Sequence, residues 1–398
     1  MSHSTPPHVR STPRPWSFRL GGWVLVLVVG CALALVALRS GTYSATQHTT
    51  ASDPPATPTG EPAQVLSEQG TWDPDHYLAG PVIAQVTEHG VIATDLATGD
   101  ELWRYQRSDT TVCAHRVNPQ HVTLIFASGE RCDEAVSFDP ASGVRQWQRT
   151  IEATGPNQIV WDDGIFLSID PAKTIVFEDG QGFERFTVDN SETDHIEGEH
   201  TSCENLDAAG SSTVGTLQRC RANDTEPWLY QVVLDQASDG EPSEVGRGYL
   251  SDISNPTIDG VTSDGTTFLR SDDGTLWVLP ERQSEAVPLD GMPSVDPNTP
   301  LEVVASRATV LLTTPETTYT LSADTTSIAH SQATIATPYV VDTTAYIPTT
   351  EGIELLDTAS GAVQQTLSWE ATTTGPADLV ITGEYIGLRD ADGLRVYA

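Results

Sequence analysis

The residues of this chain with the means to do chemistry are mostly carboxylates, 55 Asp and Glu against 20 Lys and Arg. The first question is whether any are spaced to hold a metal or share a proton. The densest group is His195-Ile196-Glu197-Gly198-Glu199-His200, inside the polar stretch Asp189–Thr201. Zinc needs three or four converging ligands, and this spacing suits neither a helix nor a hairpin, so the group reads as solvated loop. Asp390-Ala391-Asp392-Gly393 begins like a calcium loop, but Leu394 follows where another oxygen ligand belongs. It reads as a hairpin turn, as do Asp162-Asp163-Gly164 and Asp272-Asp273-Gly274, because Asp-Gly suits the tight connection between two strands. No carboxylate pair suited to glycosidic hydrolysis stands out among so many. Nucleophile elbows, phosphate-cradling loops, zinc-protease helices and CxxC pairs are absent. No residue is therefore nominated as catalytic or metal-binding, and no cofactor is expected, with pyrroloquinoline quinone and calcium left open.

The cysteines carry a different chemistry. Cys31 lies in an apolar N-terminal run, which leaves Cys113, Cys132, Cys203 and Cys220. An even number suits an oxidising compartment. Four cysteines permit three pairings; spacing favours Cys113 with Cys132 and Cys203 with Cys220, and buried free thiols are the alternative. Each bridge would stabilise the fold by about 3 kcal/mol if unstrained.

The elements that must position these residues are strands. From Gln64 onward, short runs of Val, Ile, Leu, Phe, Tyr and Trp alternate with Asp-Gly, Ser-Gly and Pro turns. No stretch holds a 3.6-residue apolar period, so almost no helix is expected after residue 40. Repeats organise the strands. Asp95-Leu96-Ala97-Thr98-Gly99 precedes Trp103, and Asp139-Pro140-Ala141-Ser142-Gly143 precedes Trp147, 44 residues later in register. Asp357-Thr358-Ala359-Ser360-Gly361 is a third copy, with Gln365 where the Trp would fall, and Asp235–Gly240 is a looser fourth. In each, Asp starts the turn by bonding its own backbone and Gly supplies a positive φ.

A period near 44 holds four short strands and their turns, the size of a propeller blade. Residues 64–398 then make an all-β single propeller of seven or eight four-stranded blades. The C-terminal segment, residues 378–397, supplies only three strands. Gln64–Trp72 is expected to complete that last blade and close the ring without an open edge.

The Asp-x-x-Thr/Ser-Gly-x-x-x-Trp pattern at 95–103 and 139–147 resembles the repeat of quinoprotein-type, or pyrroloquinoline-quinone-binding-like, β-propellers. That resemblance implies a propeller whose repeat Trp docks between blades. It does not imply the quinone: dehydrogenases of that kind carry adjacent paired cysteines, and no Cys-Cys dipeptide occurs here. Membrane-tethered propellers with degenerate repeats of this sort resemble a group common in actinobacteria.

The N-terminus sets the expected location. Leu20–Leu38 carries no charge and is just long enough to span a bilayer as a helix. Arg10, Arg14 and Arg19 precede it and only Arg39 follows, so residues 1–19 are expected in the cytoplasm and the rest outside. Two alternatives are a cleaved signal peptide and acylation of Cys31 in Val28-Val29-Gly30-Cys31. Residues 39–63, rich in Thr, Ser, Ala and Pro, are expected to be a flexible tether. The formal charge is −35, all of it and more lying beyond that N-terminal region, which repels nucleic acid. The expected protein is a plasma-membrane-anchored, extracytoplasmic binding or scaffold module, its partners the bilayer at residues 20–38 and an envelope protein or cell-wall component. The alternative is a quinone-dependent or hydrolytic enzyme using the central channel.

Overall fold

The computed structural model describes residues 45–398 apart from 130, 152–158, 163, 190–201, 211, 222–224, 226–228, 237–242, 306–308, 323, 342, 370–376 and 391. The expected membrane helix, Cys31 and the cytoplasmic tail therefore lie outside the described residues. Among the described residues, no helix is long and apolar enough to cross a membrane.

Among the described residues the strands form eight sheets, antiparallel except where Val65–Leu66 and Ala336–Thr337 add in parallel, arranged as the blades of one ring. The inner strands, in blade order, are His76–Ala79, Val112–Val117, Ile159–Asp162, Ser202–Gly210, Thr257–Val261, Glu302–Ala305, Tyr339–Val341 and Ala377–Thr382. All run the same way along the channel, so the ring has one mouth where inner strands begin and one where they end. Hydrophobic clusters straddle neighbouring blades: Trp103 and Tyr105 of blade 1 pack with Leu124, Phe126 and Phe138 of blade 2. The core is thus a ring of inter-blade seams.

Closure follows the expected route. Glu68–Trp72 pairs antiparallel with Gly393–Tyr397, the third strand of blade 8, with Glu68 opposite Tyr397 and Trp72 opposite Leu394. Just before it, Val65–Leu66 adds in parallel to the outer strand of blade 7, Ala362–Trp369. The first and last parts of the described chain are thereby bonded to each other across two blades.

The tether departs from expectation. Thr46–Thr49 is a strand, paired antiparallel along the outer edge of blade 1, Glu101–Arg107. An outer edge offers unpaired N–H and C=O groups, and β-branched Thr suits an extended backbone, so a segment with no apolar pattern is still recruited.

The repeat motif is the seam's fastening. Asp95 Oδ1 accepts from Ala97 N (2.7 Å) and Thr98 N (3.0 Å), while Gly99, at φ +74°, donates its N–H to Asp95 O. The outer strand then carries a bulge. In blade 1 Glu101 faces Thr94 and Trp103 faces Ala93, leaving Leu102 as the extra residue. The bulge re-aims the Trp toward the next blade. Trp103 is 0% exposed, donates Nε1–H to Pro140 O (2.7 Å) in the following turn, and leaves room there only for Gly143, whose Cβ would sit 2.5 Å from the ring. Trp147 repeats this against Asp179 O (2.8 Å) and Gly182 of blade 3. The same bulge recurs in blades 3, 4, 6 and 7. There the Trp register is held by Phe186, Gly246, His330 and Gln365.

Both cysteine pairs form disulfides, Cys113–Cys132 and Cys203–Cys220. The two are not equivalent. Cys113 is the bulged residue of its inner strand and reaches the third strand, whereas Cys203 and Cys220 face each other on the first two strands of blade 4.

Candidate binding surfaces at the two channel mouths

At the mouth where inner strands begin, polar residues from blades 1, 2 and 8 meet. Tyr77 and His115 share a hydrogen bond of 2.7 Å between the phenol oxygen and Nε2. The Arg389 guanidinium lies 4.6 Å from the Tyr77 ring centroid and is ion-paired with Asp378. Burial pushes the His115 pKa down, with the Arg389 charge adding to it, so the imidazole is held neutral as the phenol's partner. Burial also pushes Tyr77 upward. A cavity of about 400 Å³ adjoins this group, lined by Glu302, Thr337, Asp378, Arg389 and Asp390 among others. Glu302 is raised, chiefly by burial and further by Asp378, against a hydrogen bond from Thr337.

Along the channel wall, side chains stitch blades 2 to 6 in succession. Arg116 of blade 2 donates to Asp162 O of blade 3, and Asp162 Oδ2 accepts from Gly210 N of blade 4 (3.2 Å). Asp207 of blade 4 accepts from Ile258 N of blade 5 (3.2 Å) and from Ala208 N (2.9 Å). Asp259 pairs with Arg270 (2.7 Å), which reaches Thr299 O (2.7 Å) ahead of blade 6. Burial pushes both Asp207 and Asp259 up to about 6. Leu206, the bulged residue of its inner strand, remains exposed.

The opposite mouth is crossed by the chain's own N-terminal segment. After Thr49 it is fixed to blade 2 by Ala51 N to Ser142 O (2.8 Å), passes over blade 8, where Pro58 covers Gly383, and reaches blade 7 at Gln64, whose carbonyl accepts from Ser368 N (3.0 Å). Four prolines, Pro54, Pro55, Pro58 and Pro62, keep this strap extended. Beneath it lies a cavity of about 760 Å³, lined by Thr57 and Pro58 of the strap, by Pro81, Pro119 and Pro140 of the turns, and by Tyr339. Strap and cavity were hidden from sequence reasoning, since only the proline spacing at residues 54–62 marks the segment as extended.

The sequence candidates fall into three places. Asp95, Asp139 and Asp357 with Gly99, Gly143 and Gly361 sit in the turns at the strapped mouth, the Asp side chains engaged within their own turns. Trp103 and Trp147 are in the seams and line neither cavity. The cluster His195–His200 lies outside the described residues. Asp390 Oδ1 is used by its own turn, accepting from Asp392 N (2.8 Å) and Gly393 N (3.1 Å), and Oδ2 pairs with Arg395. Asp273 likewise accepts from Thr275 N (3.0 Å) in its turn. One group escaped the reading: Asp73, Asp75 and His76 bring ligand atoms within 4.8 Å of one another at the turn between the closing strand and blade 1. There His76 Nδ1 lies 2.9 Å from Asp75 Oδ1 and Gln85 donates to Asp75 Oδ2 (3.0 Å), which satisfies the turn.

A family model described as outer membrane protein assembly factor BamB matches residues 63–164. That stretch is the closing strand with blades 1 and 2, where both Trp-bearing copies of the repeat lie. No curated protein matches. Among solved structures, one titled as a eukaryotic initiation factor is 10% identical over 84% of each chain, with a TM-score of 0.44. Kluyvelomyces marxianus Hsv2 is 12% identical over 64% of this chain and 81% of its own, with a TM-score of 0.38. No functional conclusion follows from overlaps this loose.

Proposed function

We propose that this protein is a membrane-tethered, extracytoplasmic propeller that acts as a non-enzymatic binding or scaffold module in the cell envelope. The observation that carries this is the stitched channel wall. Arg116, Asp162, Asp207 and Arg270 bond across to the next blade or its approach, which makes this part of the ring a rigid platform for the turns and cavities at its two mouths. Two disulfides suit an oxidising compartment. The match to a BamB-type repeat model fits a binding role. The uncharged run Leu20–Leu38 with its preceding arginines supplies the anchor in this reading.

The test is site-specific photo-crosslinking of the full chain in its native membranes, with probes at Gln120 and Thr314, one at each mouth. A discrete adduct from either probe supports the module. Absence of adducts at both, or release of the chain from membranes by alkaline carbonate, counts against it. A second reading, catalysis in the channel, has the Tyr77–His115 pair beside the 400 Å³ cavity in its favour. Turnover or dye reduction by the purified chain with added quinone, lost in Tyr77→Phe, would establish it.

A further inference from the structure

We propose that the cavity at the strapped mouth is a docking groove for an extended, proline-rich segment of a partner protein, which binds beside the chain's own strap; the inference rests on the binding-module reading. At about 760 Å³ the cavity lies within the range that holds organic ligands or a few residues of peptide. Its lining is mixed, with Pro81, Pro119 and Pro140 on the turns, polar Asn118, Gln120 and Thr382 between them, and one aromatic, Tyr339, which is 41% exposed and open to stack on a proline ring. Aromatic-lined grooves recognise proline-rich chains because such chains are already extended and lose little conformational freedom on binding.

The strap shows that this mouth accepts that chemistry. Residues 54–62 cross it with four prolines, and Pro58 seats against Gly383, where a Cβ would come within 2.6 Å of it. The strap itself is fastened at both ends, by the pairing of Thr46–Thr49 with blade 1 and of Val65–Leu66 with blade 7. An incoming segment therefore lies alongside it, with Thr57 and Pro58 as one wall. Charge narrows the partner further. The groove itself is balanced, with Arg116 and Asp139 both on its lining, but the chain's formal charge is −35, so the segment's flanks should be neutral or basic.

The experiment uses the full chain in detergent and a fluorescent peptide of the sequence Pro-Pro-Ala-Thr-Pro-Thr with a lysine at each end. A control peptide has alanine at every proline. Anisotropy should show saturable binding of the first and at least about tenfold weaker binding of the second. Tyr339→Ala should weaken the first by about tenfold, whereas Val287→Ala, at an exposed position on the outer strand of blade 5, should leave it unchanged. Should Tyr339→Ala misfold, a photo-reactive residue at Gln120 on the groove rim gives the same answer by labelling the peptide. No saturable binding, equal binding of the two peptides, or a folded Tyr339→Ala that binds like the parent overturns the inference. Loss of peptide binding with membrane crosslinks intact sinks the groove alone; loss of both sinks the module reading as well.

Discussion

Blades 1 and 2 and blades 5 to 7 reach the same architecture with different fastenings. In the first pair a Trp passes its indole N–H to the next turn and covers a glycine there. In blade 7 that register is held by exposed Gln365, and in blade 6 by His330, which still lies over Gly361. Blade 5 has an outer strand of only Val287–Pro288, and the buried Arg270 side chain bonds it to the approach to blade 6 instead. The propeller thus needs a lock at each seam but not the same lock. At the blade 5 seam, where the aromatic motif has decayed, the pairing of Arg270 with Asp259 and its bond to Thr299 O take its place.

Carboxylates show a second divide, set by burial. Glu101 and Asp109, in and just after blade 1, are held low by hydrogen bonds from Arg104 and Arg107. Asp207 and Asp259, on the inner strands of blades 4 and 5, are pushed up to about 6 by burial. The difference is one of burial and not of blade, since Asp272 and Asp273, in an exposed turn of blade 5, are also held low by hydrogen bonds.

The largest expected effect tests the aromatic lock. Trp103→Ala removes a fully buried indole and orphans Pro140 O, and should cost about 3–5 kcal/mol in denaturant unfolding. His330→Ala, at the equivalent register over Gly361, should cost about 1 kcal/mol or less, because the side chain is exposed. Equal losses at the two sites would break the comparison. Next in size is the bridge in blade 2. Replacing Cys113 and Cys132 together by Ser should cost about 3 kcal/mol, read as a shift of the urea midpoint under non-reducing conditions. If reduction of the parent protein leaves its midpoint unmoved, the bridge adds no stability.

Ring closure gives the third test. Gly393, at φ +146°, faces Trp72, and a Cβ there would lie 2.0 Å from the Trp72 carbonyl. Gly393→Ala should cost about 1–3 kcal/mol through backbone strain. It should also raise amide exchange in Glu68–Trp72 before any other strand. Exchange that rises uniformly would mean that this pairing is no weaker than the seams.

What could be read in advance follows from the physics of each feature. The Asp-turn-Gly-Trp repeat is local chemistry, so its residues and period were legible and gave the blade, the strand count and the closing segment. Both cysteine pairings followed from sequence distance. The strap was not legible, because Thr46–Thr49 is held by backbone bonds to an edge, which impose no side-chain pattern. The substitutes for the lock were equally hidden: nothing local to Arg270 or Asp207 reveals that their partners are Thr299 O and Ile258 N. The mouth group of Tyr77, His115 and Arg389 joins residues from three blades, and no spacing marks it.

The smallest effect expected concerns pH, and it separates buried from exposed carboxylates by sign. Asp207 and Asp259 titrate near 6 in the fold and near 3.8 when unfolded. The folded state therefore holds more protons between those values, and their contribution is fully present below about pH 4 and lost as pH rises through 6. Glu101 and Asp109 behave oppositely, since their folded values are depressed and their contribution is lost as pH falls through the acid range. Lowering pH from 7.5 to 5 should then stabilise the protein by about 1–2 kcal/mol, a fraction of the pair's combined shift. Further acidification should destabilise it. Asp207→Asn should remove about half of the gain between pH 7.5 and 5; the slope is the readout, because the amide cannot accept both N–H groups that the carboxylate accepts and the variant's baseline will fall. Hydrogen exchange resolved by blade would sharpen the contrast. Blades 4 and 5 should lose protection first as pH rises through 6, and a loss spread evenly over all blades would show that Asp207 and Asp259 do not tune their own blades.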